Sequence, residues 1–197
     1  MLYEVDTRLR PDGQSGVMVS SVEAFERYQE ENAWTWEHQA LHRARPVAGS
    51  EGIAAQFVRI RADTLSKRVR HDRLKSDVID MRQRMRQKLD KSDSEYFDLK
   101  QGKGGIGDIE FIVQYLVLSN AADASSGYFY SDNIRQLDAL AAAGFLDAGA
   151  AERLQQIYKR YRLRLHHLAL DDRTAVVSHD EFTAEREFVE DLWKQVL

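Results

Sequence analysis

Proline is almost missing from this chain, and that scarcity limits how it can fold more than any other feature. Only Pro11 and Pro46 occur among the 197 residues, so none interrupts the chain after residue 46. Because proline breaks the interior of a helix, long helices are permitted over most of the sequence. Cysteine is absent. We expect a mainly α-helical protein without disulfides or thiolate metal sites.

Apolar residues recur at helical spacing along most of the chain. The pattern predicts helices near residues 22–44, 53–69 and 72–90. A fourth helix should follow Gly107, a fifth should begin at a Ser131 cap, and a sixth should end near Asp171. The last should run from a capping box at residues 178–181 to the end. The helix after Gly107 is so densely apolar that we expect it at the centre of the core. Short connections favour one helical bundle.

The first residues follow a different pattern. Tyr3, Val5, Thr7 and Leu9 alternate with polar residues, which predicts a strand, and a second apolar run follows at residues 17–19. Residues 2–19 are therefore interpreted as a β-hairpin or two joined strands. Since a two-stranded ribbon is marginal by itself, we expect it to be the edge of a larger domain.

Bulk properties exclude some classes of partner. The formal charge is -4, too close to neutral for a nucleic-acid binder that acts by overall attraction. No stretch approaches the ~18 apolar residues of a membrane span, and no basic segment leads into an apolar run at the start. We expect a cytoplasmic protein with no nucleic-acid or membrane partner.

Asp6, Arg8 and Arg10 share one face of the predicted first strand. A carboxylate beside two guanidinium groups suits a magnesium-bound phosphate, because Mg²⁺ uses few protein carboxylates and arginine binds phosphate through a bidentate fork. The alternative is an edge strand with a charged outer face. A two-metal reaction needs more carboxylates, and only Glu4 is near in sequence.

A glycine-rich segment at residues 102–107 is the second candidate, because such a turn can aim backbone N–H groups at a phosphate. It lacks the ending of a Walker loop, and acidic Asp108 and Glu110 follow it. The alternative is a tight turn that packs closely before an acidic helix start. In either interpretation the two carboxylates are candidates for a shared catalytic cleft.

Other patterns are less specific. The histidines, including the pairs His38/His42 and His166/His167, match no metal motif, although a metal phosphohydrolase built on helices remains an alternative. The basic segment at residues 159–164 is interpreted as a solvated helix face. Tyr28, Trp34 and Trp36 are interpreted as packing residues in the core or between elements.

Four motifs occur together in order along the chain. They are Val-Asp-Thr-Arg-Leu-Arg-Pro at residues 5–11, Ala-Trp-Thr-Trp-Glu-His-Gln-Ala-Leu at 33–41, Gly-Gly-Ile-Gly-Asp-Ile-Glu-Phe-Ile at 104–112, and Phe-Thr-Ala-Glu-Arg-Glu at 182–187. Together they resemble the bacterial glutamine synthetase adenylyltransferase/adenylyl-removing enzymes, over essentially the whole chain, and the second and last motifs resemble the C-terminal, adenylylating half. Gly107 departs from the Arg or Thr that is common in this family after Gly-Gly-Ile.

The resemblance implies a fold, a reaction and partners. It implies residues 1–19 as the last strands of a truncated polymerase-β-like nucleotidyltransferase domain and residues 20–197 as a C-terminal helical bundle domain. The reaction would transfer AMP from ATP to a tyrosine of glutamine synthetase, with Mg²⁺ as cofactor and the signalling protein PII as a further partner. Asp6 matches the third metal-binding aspartate of the family, and Arg8 and Arg10 are inferred to bind the phosphates of ATP.

The Gly-Ser-Asp-x-Asp segment that supplies the first two family aspartates does not occur in these residues. We therefore expect a fragment that begins inside the catalytic domain and is inactive alone. The alternative function is a helical interaction domain that docks glutamine synthetase or PII without chemistry.

Overall fold

The computed structural model describes residues 10–11, 13–69, 71–122 and 129–197. Within them, the mainly helical fold is confirmed, and short connections join most of the helices. The elements are α1 (Val22–Glu31), α2 (Thr35–Leu41), α3 (Glu51–Lys67), α4 (His71–Leu89), β1 (Tyr96–Asp98), α5 (Ile106–Ser119), α6 (Asn133–Ala142), α7 (Ala148–Leu170), β2 (Val176–Ser178) and α8 (Thr183–Val196), after a 3-10 turn at Gly13–Ser15.

The single helix predicted near residues 22–44 is wrong, because α1 and α2 are separate. The N–H groups of Asn32 and Ala33 both donate to the carbonyl of Tyr28, at 2.9 and 3.0 Å, and end α1. Trp34 is extended, and its N–H donates to the Glu37 carboxylate at 2.9 Å. Glu37 thereby caps a new helix within the motif at residues 33–41.

Two predicted helix caps are also wrong. The N-cap of α6 is Asp132, not Ser131, and its carboxylate accepts the N–H of Arg135 at 2.9 Å. Helix α8 starts after Phe182, whose φ of 67° is left-handed, because Ser178 is already paired in β2. A residue that favours a helix cap by its local sequence therefore does not form one where it is paired in a strand.

The paired strands of the structure lie elsewhere than the sequence predicted. β1 and β2 are antiparallel, with Phe97 opposite Val177, and they join the α4–α5 and α7–α8 connections. Residues 2–9 of the predicted hairpin lie outside the described residues. Residues 17–19 are exposed and form no strand within the described part of the chain.

Helix α5 is the core helix, as predicted. Ile109, Ile112 and Val113 are fully buried, and α5 contacts α2, α4, α6, α7 and α8. One buried apolar cluster joins α5 to α6, α7, α8 and both strands, and a second joins it to α2, α3 and α4. Among the described residues, no helix combines the length and apolar character that a bilayer crossing requires.

Candidate functional site

A pocket of about 390 Å³ opens between α1, α2 and α3, next to the end of the predicted N-terminal strand. Its apolar wall includes Phe25 and Phe57, whose rings stack with centroids 5.7 Å apart, and the half-buried Trp36. Arg10 and Arg43 line the same pocket. Flat apolar surfaces beside two cations are suited to a ligand that carries both a ring system and negative charge.

Glu37 lines the pocket but has a structural role. One carboxylate oxygen accepts the hydroxyl of Tyr28 at 2.9 Å, and the other accepts the N–H of Trp34 at 2.9 Å. The first contact holds α1 against α2, and the second caps α2. Because both donors are neutral, they do not offset the carboxylate charge, and the pocket is lined by two guanidinium groups and one carboxylate.

Arg43 is oriented by groups from two other segments. Its Nε donates to the carbonyl of Ser131 at 3.2 Å, and its Nη1 lies 3.5 Å from Glu110 Oε1. The same Glu110 oxygen accepts the hydroxyl of Tyr158 at 3.1 Å and the side-chain amide of Asn133 at 3.4 Å. Burial, together with the Glu110 carboxylate, raises the pKa of Tyr158. Helices α5, α6 and α7 thus fix one cation of the pocket.

Of the residues predicted to bind metal and phosphate, only Arg10 is among those described. Asp6 and Arg8 lie outside the described residues, so their positions relative to the pocket stay predictions. Arg10 lines the pocket, and its Nε donates to the carbonyl of Gly16 at 3.3 Å. One member of the predicted set is therefore at a cavity that can hold a ligand.

The glycine-rich turn packs closely, and the N–H groups of its glycines are hydrogen-bonded within the fold. The N–H of Gly104 donates to Asp108 Oδ2 at 2.8 Å, and the N–H groups of Ile106 and Gly107 donate to backbone carbonyls. A Cβ on Gly104 would lie 2.6 Å from the carbonyl oxygen of Arg186, and one on Gly107 would lie 2.7 Å from the Arg82 guanidinium. Close packing therefore explains the glycines, including the unusual one at Gly107.

Asp108 and Glu110 do not share a cleft, contrary to the prediction. Asp108 is buried, and its Oδ1 accepts from Arg82 Nε and Arg86 Nη2, each at 2.7 Å. Glu110 belongs to the separate cluster around Arg43. Two residues apart on one helix, they face different sides.

The histidines do not form a metal centre within the described part of the chain, where no group of three or more metal-ligating side chains occurs. His42 is fully buried, with Nδ1 2.5 Å from the carbonyl of Gln39 and Nε2 3.3 Å from the Gln136 amide oxygen. Burial lowers its pKa to about 4, so the ring is neutral at pH 7. His166 and His167 are exposed on α7.

Sequence reasoning missed most of the pocket. Arg43 gave no signal, because its role depends on contacts with α5 and the segment before α6. Phe25 and Phe57 lie within predicted helices, and nothing in the sequence singles them out as pocket residues. Trp34, predicted to pack, is 63% exposed, whereas its neighbour Trp36 lines the pocket.

Comparison with known proteins identifies the family. Residues 1–60 match the family model described as glutamate-ammonia ligase adenylyltransferase, and residues 72–185 match that described as GlnD PII-uridylyltransferase. The chain is 44% identical over its whole length to the bifunctional glutamine synthetase adenylyltransferase/adenylyl-removing enzyme of Mannheimia haemolytica and covers 20% of that protein. Proteins of the same name from Thioalkalivibrio sulfidiphilus and Hahella chejuensis are each 48% identical over 100% and 99% of the chain, which covers 20% and 21% of them.

The chain thus spans about a fifth of the length of the curated relatives that it matches. Its second matched region, residues 72–185, covers more than half of the chain and includes α4 to α7. The four motifs and the match over the whole chain agree, and the chain belongs to the family of the bifunctional glutamine synthetase adenylyltransferase/adenylyl-removing enzymes.

Proposed function

We propose that this chain is part of an enzyme that transfers AMP from ATP to a tyrosine hydroxyl of glutamine synthetase and so regulates nitrogen assimilation. The similarity of the whole chain to relatives with that name supports the proposal. In this view residues 1–19 are the last strands of a nucleotidyltransferase domain, and residues 20–197 form the helical domain that follows it. A cytoplasmic location is consistent with this role and stays a prediction.

The observation that carries the proposal is the pairing of Arg10 and Arg43 at one aromatic-walled pocket. We propose that the adenine ring of ATP packs against Trp36 and the neighbouring phenylalanines, and that the two guanidinium groups bind its phosphates. Arg8 would extend the cationic surface along the strand. The role of these residues is to hold ATP and to offset the charge that develops on its phosphates during AMP transfer.

Magnesium is the cofactor that the family resemblance implies, and Asp6 is its proposed ligand. The described residues do not form a magnesium site by themselves, because both oxygens of Glu37 are engaged and no group of three metal-ligating side chains occurs among them. One aspartate also falls short of what a two-metal reaction requires.

The 197-residue chain is accordingly expected to be inactive, since it lacks the Gly-Ser-Asp-x-Asp segment. Incubation with labelled ATP, magnesium and glutamine synthetase is expected to give no AMP incorporation, whereas a longer protein that contains this segment should be active. In that longer protein, Asp6→Asn should abolish transfer, and Asp191→Asn, at an exposed carboxylate on α8, should not. Substantial incorporation by the short chain, or full activity of the Asp6 variant, would contradict the proposal.

Binding of ATP by the short chain tests the pocket separately. By calorimetry, Arg43→Gln should weaken ATP binding roughly 10-fold or more, because a charge-assisted hydrogen bond is lost, and should leave adenosine binding unchanged. Arg164→Gln is the matched control, since Arg164 also pairs with a glutamate and has a similar side-chain exposure, 31% against 34%. Equal loss in the two variants would remove Arg43 from the site.

A docking role without chemistry is the second candidate. The observation that favours it is the match of residues 72–185 to a PII-uridylyltransferase family model, because the same helical region then occurs in enzymes named for different protein substrates. We propose that this region contacts glutamine synthetase or PII. Binding of either purified protein to the chain, measured by calorimetry without ATP, supports docking, and absence of both interactions contradicts it.

A further inference from the structure

A second cavity, of about 530 Å³, lies between the last turns of α4 and the glycine-rich turn. Its lining shares no residue with the ATP pocket proposed above and is entirely polar. The lining residues are Gln83, Arg86, Gln87, Asp90, Ser92 and Lys103. Neither the family motifs nor the proposed adenylyl transfer gives this cavity a role.

The cavity lies next to a surplus of positive charge. The single carboxylate of Asp108 pairs with both Arg82 and Arg86, at 2.7 Å each, so it balances only one of the two guanidinium groups. Arg82 is fully buried and is also held by the side chain and backbone of Gln101. The side chain of Arg86 is 21% exposed. Arg86 therefore brings positive charge to the cavity, whose lining also holds the cation of Lys103 and one carboxylate, that of Asp90.

Donor groups of the lining are available to a ligand. Arg86 Nε is buried and has no hydrogen-bond partner among the described residues. A buried unpaired donor of this kind is costly. An anion in the cavity would contact the exposed part of the same guanidinium-bearing side chain. Lys103 is exposed and takes part in none of the ion pairs within the described ranges. The side-chain amides of Gln83 and Gln87 add uncharged donors on the α4 side.

We propose that this cavity binds a small phosphate group, either inorganic phosphate or a compact phosphate monoester, between Arg86 and Lys103. The backbone amides of Gly104, Ile106 and Gly107 do not take part, because that of Gly104 donates to Asp108 and the other two donate to carbonyls. The turn contributes instead the lysine that it carries. The site is independent of ATP binding and goes beyond the proposed function.

Asp90 restricts which oxyanion fits. Its Oδ1 accepts the N–H and the hydroxyl of Ser92, at 2.8 and 2.6 Å, and the carboxylate lines the same cavity. A phosphate monoester has a second pKa of about 6 and so retains a proton near that pH, which it can donate to a carboxylate. Sulfate carries no such proton. Phosphate is therefore expected to bind more tightly than sulfate.

The test is calorimetric titration of the 197-residue chain at pH 6 with inorganic phosphate and, separately, with sodium sulfate. We expect saturable binding of phosphate, weaker binding of sulfate, and a loss of about tenfold or more in phosphate affinity on Lys103→Gln. Lys100→Gln is the matched control, because Lys100 is an exposed lysine just before the same turn that does not line the cavity. Its phosphate affinity should equal that of the unmodified chain.

Three results would overturn the proposal: no saturable phosphate binding, an equal loss in the Lys100 and Lys103 variants, or sulfate binding as tight as phosphate. Arg43→Gln should leave phosphate affinity unchanged, since Arg43 lines the other pocket. Lys103→Gln thus tests the phosphate site, and Arg43→Gln tests the proposed ATP site, so failure of one proposal can be distinguished from failure of the other.

Discussion

Replacement of Asp108 by asparagine should destabilise the protein more than most single substitutions. The carboxylate accepts two guanidinium hydrogen bonds at 2.7 Å and the N–H of Gly104 at 2.8 Å, and both Asp108 and Arg82 are buried. Asparagine keeps the shape but removes the charge and places a donor where every partner is itself a donor. Because Arg82 then remains buried without a counter-charge, the free energy of unfolding should fall by about 3–5 kcal/mol.

Urea denaturation followed by circular dichroism measures this change, and the melting temperature should drop by about 6–20 °C. The control is Asp191→Asn, which removes an exposed carboxylate paired with Lys194 and should cost less than about 1 kcal/mol. If Asp108→Asn does not fold, Arg86→Gln provides the measurement, with a smaller expected loss because Asp108 keeps Arg82. A loss below about 1 kcal/mol in Asp108→Asn would refute the reasoning from buried charge.

Three further predictions follow from local geometry. Gly104 and Gly144 have φ of 76° and 77°, but only at Gly104 would a Cβ clash with the backbone of Arg186. By urea denaturation, Gly144→Ala should lower the free energy of unfolding by about 1 kcal/mol and Gly104→Ala by more than about 3 kcal/mol. The pKa of His42 is about 4 in the folded state against an ordinary 6.5, so folding favours the neutral ring. The free energy of unfolding should therefore fall by about 3 kcal/mol as the pH drops from 6.5 to 4. His42→Gln should flatten this dependence of stability on pH, and parallel pH profiles of the two proteins would contradict the prediction. Asp147→Ala removes the N-cap of α7 and should cost about 1 kcal/mol in the same assay.

The helical fold followed from the sequence because periodicity is a local signal. Apolar stripes such as that of α5 identified both the helices and the core helix. The wrong predictions concern residues whose secondary structure depends on contacts distant in the sequence. Ser178 resembles a cap, but it pairs with Tyr96 in the two-stranded sheet. A three-residue strand is too short for alternation to predict it.

The candidate site was harder to predict than the fold. Arg10 was predicted from its position on the N-terminal strand, and it does line a pocket. Arg43 lies in no family motif quoted from the sequence, and its role depends on Glu110, which is distant in the chain. The acidic start of α5 indicated a cleft for Asp108, whereas its partners Arg82 and Arg86 on α4 hold it in the interior. The sequence shows where charged residues occur, but which of them pair depends on the folded structure.

The pairing of β1 with β2 has a consequence for biosynthesis. Phe97 meets Val177 only after the whole of α5, α6 and α7 has been synthesised, and Val189 and Leu192 of α8 complete the same buried cluster. A ribosome adds residues far more slowly than helices form, so the part of the central helix that α8 contacts stays uncovered while the remainder of the chain emerges. Nascent chains stalled before β2 are therefore expected to need chaperones, although nearly every helix in them is already complete.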